Sequence, residues 1–168
     1  MAEAMTIERR HPLAGHVFAG TGVALTPAHA AFRTSLRCPS ASVPGLSDAL
    51  GVALPRTPKT SVTEKGRSAL WLGPDEWLLI DEKTDPMADL GGIDALHAAV
   101  DISHRNTAVL VSGPGAADVI NAGCPQDLSM EAFGTGACSR TIFGKAERKR
   151  SSIGQVSFPS ERRSSCSS

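Results

Sequence analysis

Ser68-Ala69-Leu70-Trp71-Leu72 and Trp77-Leu78-Leu79-Ile80 flank Gly73-Pro74-Asp75-Glu76, and the reading of this stretch decides the fold. Each flank is too continuously apolar to keep one face in water. Two neighbouring strands buried on both faces are therefore expected. Pro74 presets φ for the turn between them, and Gly73 permits an unusual backbone angle beside it. Trp71 and Trp77 are read as anchors of a core or a subunit interface rather than as a ligand platform.

Outward from this pair, residues 22–26 and 31–37 read as short strands, the second alternating Phe32, Thr34 and Leu36 with Arg33, Ser35 and Arg37. Ser42 and Pro44 open a short helix carrying Leu46, Ala49 and Leu50, and Gly51 stops it. Residues 55–65 read as a polar loop. Asp85-Pro86 opens a helical segment reaching about residue 99, weakened at Gly91-Gly92. A further apolar strand spans 107–111, and Ser112-Gly113-Pro114 starts a helix that Gly123 ends. Residues 129–133 read as a short helical turn, and 137–146 as a strand broken at Gly144. Strands separated by short helices, without regular βαβ spacing, predict an α+β domain.

Composition narrows the function classes. Hydrophobic residues make up 41% and charged residues 20%, which excludes wholesale disorder, collagen and coiled coil. Seventeen basic and seventeen acidic side chains cancel, so no global field draws the chain to nucleic acid or a membrane. Two Trp, five Phe and no Tyr argue against a stacking platform for single strands. No apolar run is long enough to span a bilayer. The neutrality hides an asymmetry: residues 148–168 hold five basic residues and one acid, a net of +4, so residues 1–147 carry −4. With eight serines in that tail, the reading is a flexible N-terminus (1–19), a folded domain (20–147) and a disordered basic tail (148–168). The apolar stretch after Arg9-Arg10 is interrupted by Gly15, His16, Gly20, Thr21 and Gly22, unlike an export signal. Cys38, Cys124, Cys138 and Cys166 form no CxxC pair, consistent with free thiols in the cytoplasm.

Asp101, Ser103 and His104 are the residue types of a hydrolytic triad, but a strand would point Asp101 and Ser103 away from His104. Turn and cap roles fit better, with Arg105 as a surface or interface charge. Gly20-x-Gly22 and Gly134-x-Gly136 lack the third glycine of a dinucleotide loop. Ser112-Gly113-Pro114-Gly115 sits between strand and helix, yet Pro114 removes one donor that an anion cradle needs. Cys124 or Cys138 could pair with His104 as a nucleophile, but nothing in the spacing fixes the pair. No catalytic, cofactor-binding or metal-binding residue is assigned; Trp71, Trp77, Asp101, His104 and Arg105 are assigned interface or structural roles.

Four segments carry a resemblance over residues 20–147. They are Leu70-Trp71-Leu72-Gly73-Pro74-Asp75-Glu76-Trp77-Leu78; Val100-Asp101-Ile102-Ser103-His104-Arg105 with Val111-Ser112-Gly113-Pro114; Gly123-Cys124-Pro125-Gln126-Asp127-Leu128; and 138–147, ending Gly144-Lys145-Ala146-Glu147. In order and spacing they resemble the gamma subunit of heterotetrameric sarcosine oxidase, a relative of the aminomethyltransferase folate-binding domain. The resemblance implies that fold, built from two small strand–helix subdomains. It also implies a noncatalytic cytoplasmic subunit working with alpha, beta and delta subunits, an oxidoreductase acting on CH–NH donors with oxygen as acceptor. That complex demethylates sarcosine to glycine, with tetrahydrofolate as one-carbon acceptor and hydrogen peroxide as product. FAD, FMN, NAD and tetrahydrofolate belong to the partner subunits, and none to this chain. Members of the family continue after the Lys-Ala-Glu segment with apolar strands and a closing helix. Here Arg148-Lys149-Arg150 follows, so the closing strands are read as missing. The alternative from another class is a stand-alone folate-binding aminomethyltransferase-like module.

Overall fold

The computed structural model describes residues 13–144 and 152–157. Its centre is a five-stranded antiparallel sheet of β3 (Phe32–Arg37), β4 (Ser61–Glu64), β5 (Arg67–Gly73), β6 (Glu76–Asp81) and β7 (Ala98–Asp101), in the order β4-β5-β6-β3-β7. β5 and β6 are the expected hairpin. They pair Trp71 with Trp77, Leu70 with Leu78 and Ala69 with Leu79, with an irregularity between Trp71 and Gly73. The pleat sends Ala69, Trp77 and Leu79 to one face, where they pack with Leu36 and with helix α1 (Val43–Leu50) and helix α2 (Pro86–Leu90). Leu70 and Leu78 point the other way and pack on Cys138 of β9 (Cys138–Phe143). Burial on both faces, expected from the apolar runs, is what the hairpin has.

Each helix follows from local chemistry. α1 has Pro44 in its first turn, buries Val43, Leu46 and Leu50, and ends at Gly51 in the left-handed conformation, φ 63°. Ser42 sits at its cap in a helical conformation, so its hydroxyl makes no capping bond. Asp85 does cap α2, its carboxylate accepting from the Met87 N–H at 2.9 Å. The segment expected to stay helical to residue 99 leaves the helix after Leu90. Gly91-Gly92 costs too much backbone entropy to continue, and the chain becomes β7 on the free edge of β3. The polar loop at 55–65 likewise contains β4. Its Val62 and Thr63 suit a strand, and Lys65 (φ 51°) and Gly66 (φ 95°) form a two-residue turn into β5.

A second, three-stranded sheet orders β1 (Phe18–Gly20), β2 (Val23–Pro27) and β8 (Val109–Ser112) as β1-β2-β8. β1 thus takes up the end of the segment read as a flexible N-terminus. α3 (Ala116–Asn121) follows β8, starting two residues after Pro114. Gly113 has φ +106°, and a Cβ there would lie 2.5 Å from the Gly22 carbonyl oxygen, so this crossing requires glycine. Residues 129–133 form the expected single helical turn, the Phe133 N–H donating to Ser129 O at 2.8 Å, without extending into a helix. The third unit is a ribbon of β9 with β10 (Ser152–Ser157), paired from Cys138↔Ser157 to Phe143↔Ser152. β10 falls inside the tail read as disordered. Poverty in apolar side chains argues only against burial; a strand edge such as β9 also offers backbone hydrogen-bond partners to a segment containing Ile153 and Val156.

A charged group lies inside this apolar frame. Arg67 is buried, and its Nε donates to Asp81 Oδ2 at 2.9 Å while Nη1 donates to Asp89 Oδ2 and to the Leu50 carbonyl, both at 2.7 Å. One side chain therefore ties β5 to β6, to α2 and to the carbonyl end of α1. Burial raises the Asp81 pKa, but N–H donors from Thr84 and Lys83, the Thr84 hydroxyl and Arg67 outweigh it and bring it down to about 2. Arg67→Ala, which strands a buried carboxylate, is expected to cost about 3–5 kcal/mol in urea unfolding. Because the folded pKa of Asp81 lies below the unfolded value, its stabilisation is complete above the unfolded value of ~3.9. It is lost as pH falls towards 2; unfolding free energy measured from pH 5 to 2 is expected to drop by about 2 kcal/mol from this group. On β3, the buried Thr34 hydroxyl has no hydrogen-bond partner among the described residues. Thr34→Val is expected to raise stability by about 1 kcal/mol, read as a higher Tm in calorimetry.

Candidate functional site

The segment 101–105 leaves β7 and crosses towards β8. The Asp101 carboxylate accepts from the Ser103 backbone N–H at 2.8 Å and also from the Ser103 hydroxyl. The same hydroxyl oxygen accepts from the Arg33 N–H at 2.9 Å. Ile102 N donates to Arg33 O at 2.8 Å, and Arg105 N to Ile102 O at 3.0 Å. Ser103 therefore delivers its proton to Asp101 and its lone pair to β3. A triad needs that proton on His104, and His104 and Arg105, in the same turn, stand exposed to solvent. The structure joins Asp101 and Ser103 as a clasp between β3 and β7. Their chemistry is conformational. Arg33 itself is buried, burial lowers its pKa, and its guanidinium reaches the Ala31 carbonyl at 3.3 Å.

The Trp71–Trp77 pair borders a groove of about 270 Å³, completed by Val43, Arg56, Pro58 and Pro74. Trp77 is 1% exposed, and its indole N–H donates to Pro55 O at 2.7 Å. Trp71 is half-buried, and its backbone N–H donates to Thr60 O at 3.0 Å. Trp77 thus lies in the core and Trp71 at its half-buried margin, where anchors of a core or a subunit interface were expected. The groove is smaller than the roughly 300–1,000 Å³ typical of small-molecule sites.

The thiols are structural. Cys138 is fully buried and its Sγ–H faces Thr60 O at 3.1 Å and Trp71 O at 3.4 Å; burial raises its pKa. Burial, then the nearby Asp75, raises that of Cys38. Cys124 is buried with its sulfur 3.7 Å from Thr141 Oγ1. A nucleophile needs an accessible thiolate; burial of all three opposes one, and at Cys38 and Cys138 the raised pKa opposes it further. Cys166 lies outside the described residues.

The glycine segments serve the backbone in the same way. Gly115 N donates to Gly22 O at 2.9 Å, so the amide that an anion cradle would use is taken. Gly136 O accepts from both the N–H and the hydroxyl of Ser61 at 2.8 Å. Among the described residues no group of three His, Cys, Asp or Glu side chains could hold a metal. Among them, too, no helix is long and apolar enough to cross a membrane. The polar residue that sequence reading passed over is Arg67. A lone arginine at the head of an apolar strand was its available signal.

No protein-family model matches the chain. It is 34% identical over 110 residues to sarcosine oxidase subunit gamma of Arthrobacter sp., covering 62% of this chain and 53% of that one. It is 35% identical over 121 residues to sarcosine oxidase subunit gamma of Corynebacterium sp. strain U-96, covering 66% and 58%. The chain spans about half the length of the curated relatives it matches. Its fold is similar to a chain of the heterotetrameric sarcosine oxidase from Corynebacterium sp. U-96, solved in complex with pyrrole 2-carboxylate. There the TM-score is 0.70 at 29% identity, covering 80% of this chain and 76% of that one. In sequence, then, the chain is similar to sarcosine oxidase gamma subunits, and in fold to a chain of a heterotetrameric sarcosine oxidase.

Proposed function

We infer that the chain is a noncatalytic, cytoplasmic subunit of a heterotetrameric sarcosine oxidase, packing with alpha, beta and delta subunits and bracing their geometry. The reaction of the complex is the oxidative demethylation of sarcosine to glycine, with tetrahydrofolate taking the one-carbon unit and oxygen reduced to hydrogen peroxide. FAD, FMN, NAD and folate sit in the partner subunits. The observation that carries this reading is the closed Asp101–Ser103 clasp. The residues most like catalytic machinery hold β3 against β7, and the proton a base would take is already committed to Asp101. The similarity to gamma subunits and to a chain of a heterotetramer supports the same reading. The assignment of Trp71, Trp77, Asp101, His104 and Arg105 to structure and docking belongs to it.

Co-expression of this chain, tagged, with alpha, beta and delta subunits tests it. All three partners are expected to co-purify in fixed stoichiometry. An active alpha–beta–delta assembly that never retains the chain would refute the reading. Calorimetry with tetrahydrofolate on the isolated chain is expected to show no binding; tight binding would favour the stand-alone folate module instead. Ser103→Ala in the assembled complex is expected to lower the stability of this chain by about 1–2 kcal/mol and to leave kcat for sarcosine unchanged. A large fall in kcat at full assembly would make Ser103 a participant in the chemistry.

A further inference from the structure

Two arginines are buried among the described residues, Arg67 at 6% exposure and Arg33 at 7%, and their guanidinium groups are met differently. Arg67 donates to two carboxylates and a carbonyl. The Arg33 guanidinium donates to the Ala31 carbonyl alone, at 3.3 Å. The ion pairs among the described residues are Arg37–Asp75, Arg67–Asp81, Arg67–Asp89 and Arg140–Glu76, and none includes Arg33. The sheet register gives the reason. Arg33 lies opposite Ile80 and beside Ile102, on the face that carries Leu70 and Leu78. Asp81 and Asp101 lie opposite Phe32 and Thr34, so the pleat sends both to the other face. Glu76 does leave on the Arg33 face, but Arg140 holds it at 2.7 Å.

Buried charges in folded proteins are paired, and arginine cannot shed its proton to escape the cost of being alone. Burial lowers the Arg33 pKa, and no neighbouring acid counters it. Of the five N–H donors in its planar fork, the Ala31 contact takes one. The remaining nitrogens are not sealed. Among the described residues the fully buried polar side-chain atom without a partner is Thr34 Oγ1, so the free donors of Arg33 meet the small opening left to it. Its backbone is held from two sides, the N–H on Ser103 Oγ at 2.9 Å and the carbonyl by the Ile102 N–H at 2.8 Å. The fork is therefore presented from a fixed point, between apolar neighbours that strengthen a charge-assisted bond. Its geometry matches a carboxylate through two parallel bonds. So narrow an opening admits a small ion and excludes a protein surface. We propose that the Arg33 guanidinium is a binding site for a free small carboxylate anion, of the class of formate and acetate. This inference stands apart from the subunit reading.

The test measures the Tm of the full chain in sodium formate and in sodium chloride at equal ionic strength. It compares wild type, Arg33→Met, Arg33→Lys and Arg56→Met, the last an exposed arginine on the Trp71 groove. The wild-type Tm is expected to rise saturably with formate, by about 2–5 °C once formate is about tenfold above its Kd. Arg33→Met keeps an apolar stem without the charge; it is expected to lose the rise and to melt in chloride no lower than wild type. Arg33→Lys is expected to lose most of the rise, because an ammonium cannot hold a carboxylate through a fork. Arg56→Met is expected to respond as wild type does. A wild-type Tm equal in the two salts would overturn the proposal. Arg33→Met then separates the causes: a Tm no lower than wild type means that water alone covers the fork, and a fall means that a protein carboxylate already holds it. A formate rise undiminished in both Arg33 variants would put the anion elsewhere and overturn the proposal as well.

Discussion

A buried guanidinium holds the layers of this protein together. Arg67 is the first residue of β5, and its donors diverge towards Asp81 on β6, Asp89 on α2 and the terminal carbonyl of α1 at Leu50. A lysine could not span these directions, because its charge is a point and the arginine fork is planar and wide. Desolvating such a charge is costly, and the cost is met only because its partners are placed by three separate elements. The arrangement therefore couples hairpin, helices and loop 81–85 into one unit. The stacking of apolar side chains between sheet and helices fixes how close the layers come, and the arginine fixes their register.

With that unit in place, the polar residues elsewhere are seen to close junctions. Asp101 and Ser103 clasp β7 to β3, Gly113 lets β8 pass the Gly22 carbonyl, and Cys138 seats β9 against the carbonyls of Thr60 and Trp71. Each is a residue type that also occurs in catalytic centres, and each is engaged by its own backbone neighbours. Among the described residues, the Trp71 groove and the apolar face of the three-stranded sheet stay open.

Much of the central sheet was legible in the sequence because strands buried on both faces leave continuous apolar runs, as at 68–72 and 77–80. Gly51 and Asp85 announced their helix ends for equally local reasons. Other features depended on pairing partners far away in the chain. β4 reads as loop because Ser61, Thr63 and Glu64 are polar, and only the turn at Lys65-Gly66 brings them onto β5. β7 reads as helix because its alanines suit either state, and the open edge of β3 decides it. β10 hides in a serine-rich segment for the same reason, since the edge of β9 supplies bonds that composition does not record. At the candidate site, adjacency already argued against a triad at 101–104. The acceptor role of Ser103 towards Arg33, 70 residues away, could come only from the fold.

Hydrogen exchange followed by mass spectrometry, on the chain alone and on the chain mixed with active alpha, beta and delta subunits, addresses the central claim most directly. Membership of the complex predicts slowed exchange over part of the chain's surface in the mixture, with the 101–105 clasp equally protected in both states. Exchange that is identical throughout the chain with and without those subunits would contradict the account.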